Sequence, residues 1–543
     1  MTKNYCLRKS TFYFTLLLFC LVQYVSAATY YSKPTGDADS YSTWTTNANG
    51  TGSNPVNFST SGDIFVMQAS SSLTVKKSWT VASGVTLQID GFLNVDSNWA
   101  AVVIEGTVIF TNPNDTQVIL RSNGQGSSFT INSGAVMKTM NVNGVRGENC
   151  SLPLNVGEGK VWLSNSSTYE FIGSLPQMTL GMPSSASTIL NVNNAAGVTL
   201  SNAASVASLI LTKGVLTTDV SKLLSIESTA TGAVSGGSAT SYINGPVRLT
   251  LPENLNSDRT YVFPVGKGNR YLPFSLVNPR TGSGTVTAQL EAFAANSGGT
   301  PDGTALGELS TAEYWSLATA GNFTSSAVSI SRPNAISPFD RIAGSTTLNG
   351  TYGSLAGTVG TNSITSSSAI GTNRFFTFGR KKQKIATGTI AGSPFCAGST
   401  VTVPFTIEGT FDAGNNFIAQ LSDASGSFSN PVNIGTLSQR TAGIINAIIP
   451  ANTPAGTDYR IRVVGSHPIV VGNTSDKIKV NSSPVATVTS SGRICQGADA
   501  IFTITGTPGA EITYTINGGS LSTVNLTDGS SIAKRYAGGI IYI

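Results

Sequence analysis

The chain has 543 residues, of which 11% are charged and 40% hydrophobic, with 58 glycines and one histidine. Average globular proteins carry about 25% charged residues, so this surface is wetted by hydroxyls and amides rather than by ions, while the apolar content excludes wholesale disorder. Of the net charge of +5, three charges sit on Lys3, Arg8 and Lys9, and the roughly +2 that remains excludes a protein that holds nucleic acid electrostatically.

Those three cations open a leader. An apolar run follows from Thr11 to Val25, and Val25-Ser26-Ala27 supplies the small residues that signal peptidase requires, which predicts cleavage after Ala27 and export. The run is about fifteen residues, too short to span a bilayer, and no later stretch reaches the ~20 apolar residues of a transmembrane helix. Cleavage leaves Cys150, Cys396 and Cys495. An odd number in an oxidising compartment leaves at least one thiol without a partner in the chain.

From Ser61 to Gly147, short runs rich in Val, Ile, Leu, Thr and Phe alternate with Gly, Asn and Asp: residues 64–67, 73–75, 85–89, 102–104, 108–110, 118–120, 129–131 and 136–140. The pattern resumes at 189–192, 198–200, 209–211, 215–216 and 223–226. Strands this short and this evenly punctuated predict a parallel β-solenoid over residues 28–239, with aliphatics stacked coil on coil. No strict repeat length is visible, so an irregular antiparallel sandwich is the alternative. At Tyr242 the texture changes to prolines and aromatics (Tyr242-Ile243-Asn244-Gly245-Pro246, Tyr261-Val262-Phe263-Pro264, Tyr314-Trp315, Phe375-Phe376-Thr377-Phe378), which predicts an antiparallel β-sandwich over 240–379.

Residues 380–384, Arg-Lys-Lys-Gln-Lys, are the one dense charge run and read as a solvated basic linker. The alternative reading is a contact for acidic glycans, lipid headgroups or a processing protease. Beyond it the chain is duplicated. Phe395-Cys396-Ala397-Gly398 is echoed by Ile494-Cys495-Gln496-Gly497, 99 residues on from Cys396 to Cys495, and Val403-Pro404-Phe405-Thr406-Ile407 by Ala500-Ile501-Phe502-Thr503-Ile504. A period of this size predicts immunoglobulin-like sandwiches, the first over 385–482 and a second, truncated one over 483–543. Gly456-Thr457-Asp458-Tyr459 leads into an alternating strand, and its Tyr hydroxyl is expected to bond back to the preceding turn. The last ten residues, from Lys534, depart from the strand pattern, and the second copy is shorter than the roughly 90–100 residues such a module needs. The expectation is a truncated or frame-shifted reading frame.

The opening segment (Tyr30-Tyr31-Ser32-Lys33, Gly36, Trp44, Gly50, Asn54-Pro55, Phe58), the Tyr242–Pro246 and Phe263–Lys267 pair of motifs, and the Cys396 and Cys495 repeats together resemble large secreted and surface adhesin-like proteins of the Bacteroidetes, with a β-solenoid module and tandem immunoglobulin-like (PKD-like) repeats. That resemblance implies type IX secretion, cell-surface display or release, and adhesive or polysaccharide-related roles. It identifies architecture, not chemistry.

The residues themselves argue against catalysis. A lone histidine, His467 in Gly465-Ser466-His467-Pro468, excludes a histidine zinc cluster, the cysteines lack CxxC spacing, and no nucleophile elbow is present. Carboxylates over the solenoid region (Asp37, Asp39, Asp63, Asp90, Asp96, Glu105, Asp115) read as turn residues, with Asp37 and Asp39 as weak candidates for a structural calcium and no other cofactor expected. Of the five tryptophans, Trp79 and Trp99 read first as packing or end-cap residues and are weak candidates for a glycan-stacking face. The expectation is therefore an exported, non-catalytic, adhesin-like protein whose partner is an extracellular glycan or surface. The alternatives are a carbohydrate-active solenoid enzyme of polysaccharide lyase or glycoside hydrolase type, and a truncated product without a function of its own.

Overall fold

The computed structural model of the chain describes residues 27–95, 99–120, 126–155, 159–490, 492, 499–516, 518–527, 532–537 and 541–542. The leader before Ala27, Asp96, and the Ile494–Gly497 half of the repeat motif with Cys495 lie outside the described residues. The protein is all-β: among the described residues the one helical segment is a single 3-10 turn at Tyr41–Thr43. The chain divides into two compact units, Met1–Thr300 with Leu309–Phe378, and Pro301–Glu308 with Gly379–Ile543. No described helix is long and apolar enough to cross a membrane.

The first unit begins with three parallel ladders that the chain visits in rotation. The longest takes Thr29–Ser32, Ile64–Met67, Thr86–Ile89, Thr107–Phe110, Val136–Thr139, Thr168–Phe171, Ile189–Asn193, Ser208–Lys213 and Val234–Gly236 in sequence order. A second holds Thr35–Asp37, Ser72–Val75, Phe92–Val95 and Val118–Leu120, and a third Trp79–Val81, Ala101–Ile104, Ser128–Ile131 and Lys160–Leu163. Each strand is four residues or so because one period-2 alternation puts two side chains inward and two outward. Registered pairing then stacks like on like. Phe65, Leu87, Val108, Met137, Tyr169, Leu190 and Leu209 form one buried column, with Met67, Ile89, Phe110, Thr139, Phe171, Val192 and Leu211 beside it.

The pairing also explains why no repeat length is legible. The chain returns to the long ladder after 22 residues from Ile64 to Thr86, 21 to Thr107, 29 to Val136, 32 to Thr168, 21 to Ile189 and 19 to Ser208. The surplus sits between ladders, where buried amides replace missing backbone partners. Gln117 Nε2 donates to Ile89 O while its Oε1 accepts Asn112 N–H at 2.9 Å. Gln177 Nε2 donates to Thr139 O (2.9 Å) and Asn141 O (3.0 Å), and its Oε1 accepts Gly173 N–H and Asn194 Nδ2. Unpaired buried backbone groups would cost about 1–3 kcal/mol each.

At the N-terminal end, Trp44 is fully buried with its Nε1 donating to Ala38 O at 2.9 Å, and Tyr30, Phe58, Phe65 and Trp79 pack around it with ring centroids 5.2–5.9 Å apart. At the other end Val247–Leu251 pairs parallel with Leu224–Ile226 and antiparallel with Val286–Phe293, so the parallel stack passes into antiparallel sheet within one strand. A second antiparallel sheet, Thr260–Phe263, Phe274–Thr281, Phe323–Ser331, Ser363–Thr365 and Thr358–Val359, faces the continuing core of Trp315, Leu317, Val328 and Phe376. Inside this part Glu313 is fully buried. It is paired with Arg270, with Arg332 Nη1 at 3.1 Å and with Ser310 Oγ at 2.8 Å, and the Arg332 guanidinium lies over Phe339 and Phe378.

The second unit contains two separate clusters. Val403, Phe405, Phe417, Ile445, Ile461 and Val463 centre the first, enclosed by sheets that include Lys384–Thr387, Thr400–Glu408 and Gly443–Ile448 on one side and Asn416–Leu421, Ile461–Ser466 and Ile469–Thr474 on another. The Tyr459 hydroxyl donates to Pro454 O at 2.9 Å, the return bond expected from the sequence. The matched segments occupy equivalent places: Thr400–Glu408 and Asp499–Gly506 are each the middle of a three-stranded antiparallel sheet. Ile532–Ala537 is a strand paired with Asp499–Gly506, which corrects the expectation that the chain leaves the strand pattern at Lys534. Its cluster is small: Ile504, Ile512, Tyr514 and Leu526.

Removing Glu313 strands Arg332, whose side chain is 10% exposed. Glu313→Ala is therefore expected to destabilise the first unit by about 3–5 kcal/mol, read as a lower urea midpoint by tryptophan fluorescence, since all five tryptophans lie in that unit.

Candidate functional site

Trp79 and Trp99, paired as candidates by their types, part company. Trp79 is 3% exposed and packs on Trp44 and Phe58, because it pairs with inward-facing Val102; no ligand reaches it. Trp99 is 71% exposed and holds φ at 65°. Left-handed backbone is costly for a bulky side chain, and such outliers cluster at functional positions. The sequence reading missed Trp162, which is 60% exposed on Lys160–Leu163. The outer face of the third ladder aligns Thr80, Val103, Thr130 and Trp162 in register, with Trp99 in the turn that leads into Ala101–Ile104. Its signal was Val161: an inward neighbour puts Trp162 outward by parity.

The calcium candidates are committed elsewhere. Asp37 pairs with Lys76 Nζ at 2.9 Å, and Asp39 Oδ2 accepts Lys77 N–H at 2.8 Å. Asp90 accepts Gln88 Nε2 and Thr111 Oγ1, Asp115 accepts Asn112 Nδ2, Glu105 is exposed, and Asp63 is buried at 3% against Ala28 N. Among the described residues no three His, Cys, Asp or Glu side chains come together as a cation site.

His467 is exposed, with Nδ1 3.0 Å from Ser466 Oγ. That hydroxyl already accepts Asn416 N–H at 2.8 Å, and the carboxylate of Asp412 is taken by Arg380, so no serine–histidine–carboxylate relay is assembled there. Cys150 is fully buried and burial pushes its thiol up to about 11, whereas Cys396 is exposed.

Within residues 380–384, Lys382 and Lys384 are exposed, as expected of a solvated run, and Arg380 is not. Arg380 is 3% exposed by side chain, forks onto both Asp412 oxygens at 2.7 and 3.2 Å, reaches Glu308 at 3.4 Å and donates to Thr410 O. Lys381 and Lys384 approach Glu408 at 3.3 and 3.9 Å. Two strands, Phe375–Lys381 and Lys384–Thr387, take most of the run into sheet. Beside it runs a groove of ≈ 670 Å³ lined by Lys382, Lys384, Ile385, Ile469 and Val471. A second cleft of ≈ 520 Å³ lies over Leu421, Pro450 and Tyr459. At its rim, hydrogen bonds from Ser425 Oγ and Ser427 N–H hold the Asp423 carboxyl below the usual range, so it stays ionised and donates no proton at neutral pH.

No family model matches the chain, and neither a curated protein nor a solved structure is found similar to it.

Arg380→Ala is expected to cost about 1–3 kcal/mol, less than Glu313→Ala, because Asp412 and Glu308 are half-exposed and regain water; calorimetry of the second unit's transition checks this. Cys396 should react with a thiol reagent at pH 8 within the mixing time, and Cys150 only as the first unit unfolds, since the thiolate is the nucleophile. A raised thiol stabilises the fold fully below the free thiol's range, near 8.5, and that contribution is lost as pH climbs through about 11.

Proposed function

We propose that this is an exported surface or extracellular protein that works by contact with glycans or surfaces and not by catalysis. The first unit is a parallel β-solenoid running into an antiparallel sandwich, and the second carries two immunoglobulin-like modules. Three in-register parallel ladders visited in rotation support the solenoid. Two copies with equivalent three-stranded sheets and a tyrosine return bond support the modules. The leader and the likeness to adhesin-like Bacteroidetes proteins support export by the type IX route.

The observation that carries the binding function is the pair of exposed rings at the third ladder: Trp162 on its outer face and Trp99 in the turn that leads into Ala101–Ile104. Large aromatic rings left in water on a rigid sheet are a standing cost, and their flat faces suit the C–H faces of sugar rings. On the same outer face Thr130 supplies a hydroxyl beside Trp162, and Thr80 another beyond Val103. Stacking on one or both rings gives weak single contacts that repetition on a polymer strengthens.

Trp162→Ala and Trp99→Ala are each expected to weaken retention on a polysaccharide panel by a factor of about 3 to 10, the equivalent of about 0.5–1.5 kcal/mol, with thermal midpoints unchanged. Trp79→Phe should leave retention intact while lowering stability. Equal retention by the double tryptophan variant and the parent, or release of reducing sugar by the parent, would overturn this reading.

A further inference from the structure

Among the described residues, Asp63 is an ionisable group without a counter-charge. Its side chain is 3% exposed, and among the described residues no cation lies within ion-pair distance of it. Its carboxylate has one hydrogen-bond donor there, Ala28 N, 2.9 Å from Oδ1. Both partners are fixed by backbone. Ala28 O accepts Ile64 N–H at 2.9 Å and Thr29 pairs with Ile64, while Asp63 N donates to Thr60 O and Asp63 O accepts Thr86 N–H. Ala27, one residue earlier, is exposed and passes over Gly62, where a Cβ would lie 2.7 Å from the Ala27 methyl.

A single neutral amide is poor compensation for a carboxylate taken out of water; such groups are paired when buried. An α-ammonium at the same nitrogen would place a full positive charge beside the carboxylate, with one of its three N–H donors on Oδ1. We propose that hydrolysis of the Ala27–Ala28 peptide bond by signal peptidase creates that ammonium, so that removal of the leader forms a buried ion pair between Ala28 and Asp63 and anchors the first strand of the long ladder. Water adds across the amide: Ala27 departs as a carboxylate with the leader, and Ala28 keeps the amine, which is protonated at neutral pH because α-amino groups titrate near 7.7–8.0. The proposal rests on the export reading with cleavage at this bond. It goes further in making the new terminus a structural element: export-linked processing and the stability of the first unit become one event.

The test compares three chains ending at Ile543: one beginning at Ala28 with a free amine, the same chain acetylated at Ala28, and one retaining Ser26-Ala27. All three are released in vitro by a sequence-specific protease or acetylated afterwards, so none depends on export. The acetyl group occupies the place of the Ala27 carbonyl and preserves the N–H, which isolates the charge. The free-amine chain is expected to unfold about 2–4 °C above the other two, and Asp63→Asn to remove the difference. Equal midpoints for the free and acetylated chains, with Asp63 intact, would overturn the ion pair whether or not Asp63→Asn folds. Separately, terminal sequencing of the chain secreted from a bacterial host should begin at Ala28. Any other start sinks the processing site and the export reading at that bond, without touching the thermal comparison.

Discussion

Everything in the first unit depends on keeping alternation in register from one turn of the chain to the next. A strand of four residues has little stability alone; it holds because each inward side chain lands on its counterpart one strand below, as Leu87 lands on Phe65 and Val108 on Leu87. A slip by one residue would turn Leu87 and Ile89 to solvent and Thr86 and Gln88 inward. This is why the protein manages with so few ions: backbone ladders saturate the polar groups, and the columns bury what is left.

The same constraint explains how the chain tolerates uneven turns. Steps from 19 to 35 residues feed a single ladder because the surplus is expelled between ladders, and because Gln117, Gln177 and Asn194 stand in for the lost peptide partners. Those amides are neither surface decoration nor chemistry. They are what lets irregular sequence keep regular pairing.

Much of this was legible. Alternation locates most strands between Ser61 and Gly147, though it passes over Trp79–Val81 and Phe92–Val95, and others after Thr188, and the duplicated Phe-Thr-Ile segments mark equivalent strands of the second unit. What was not legible turned on facts that local sequence does not carry. Trp79 and Trp99 are not separated, and Trp162 is not singled out, because residue type says nothing of parity; the neighbours Thr80 and Val161 decide it. The stretch from Asn141 to Thr188 reads as patternless because it holds most of the 32-residue step from Val136 to Thr168 and pairs in part through isolated bridges such as Gly144 with Leu180. Arg380 looked solvated because it sits in a charge run, while its partners Glu308 and Asp412 lie 72 and 32 residues away. Glu313 had no local sign of burial for the same reason.

Strand Val247–Leu251 has a mechanical consequence. It is hydrogen-bonded along one edge to a parallel neighbour and along the other to an antiparallel one, so the change of sheet type within the first unit occurs across a shared backbone and not at a seam between two packed bodies. Tension applied through that unit would load those bonds together, in shear, instead of opening a joint. The two sheet types therefore resist that load as one ladder.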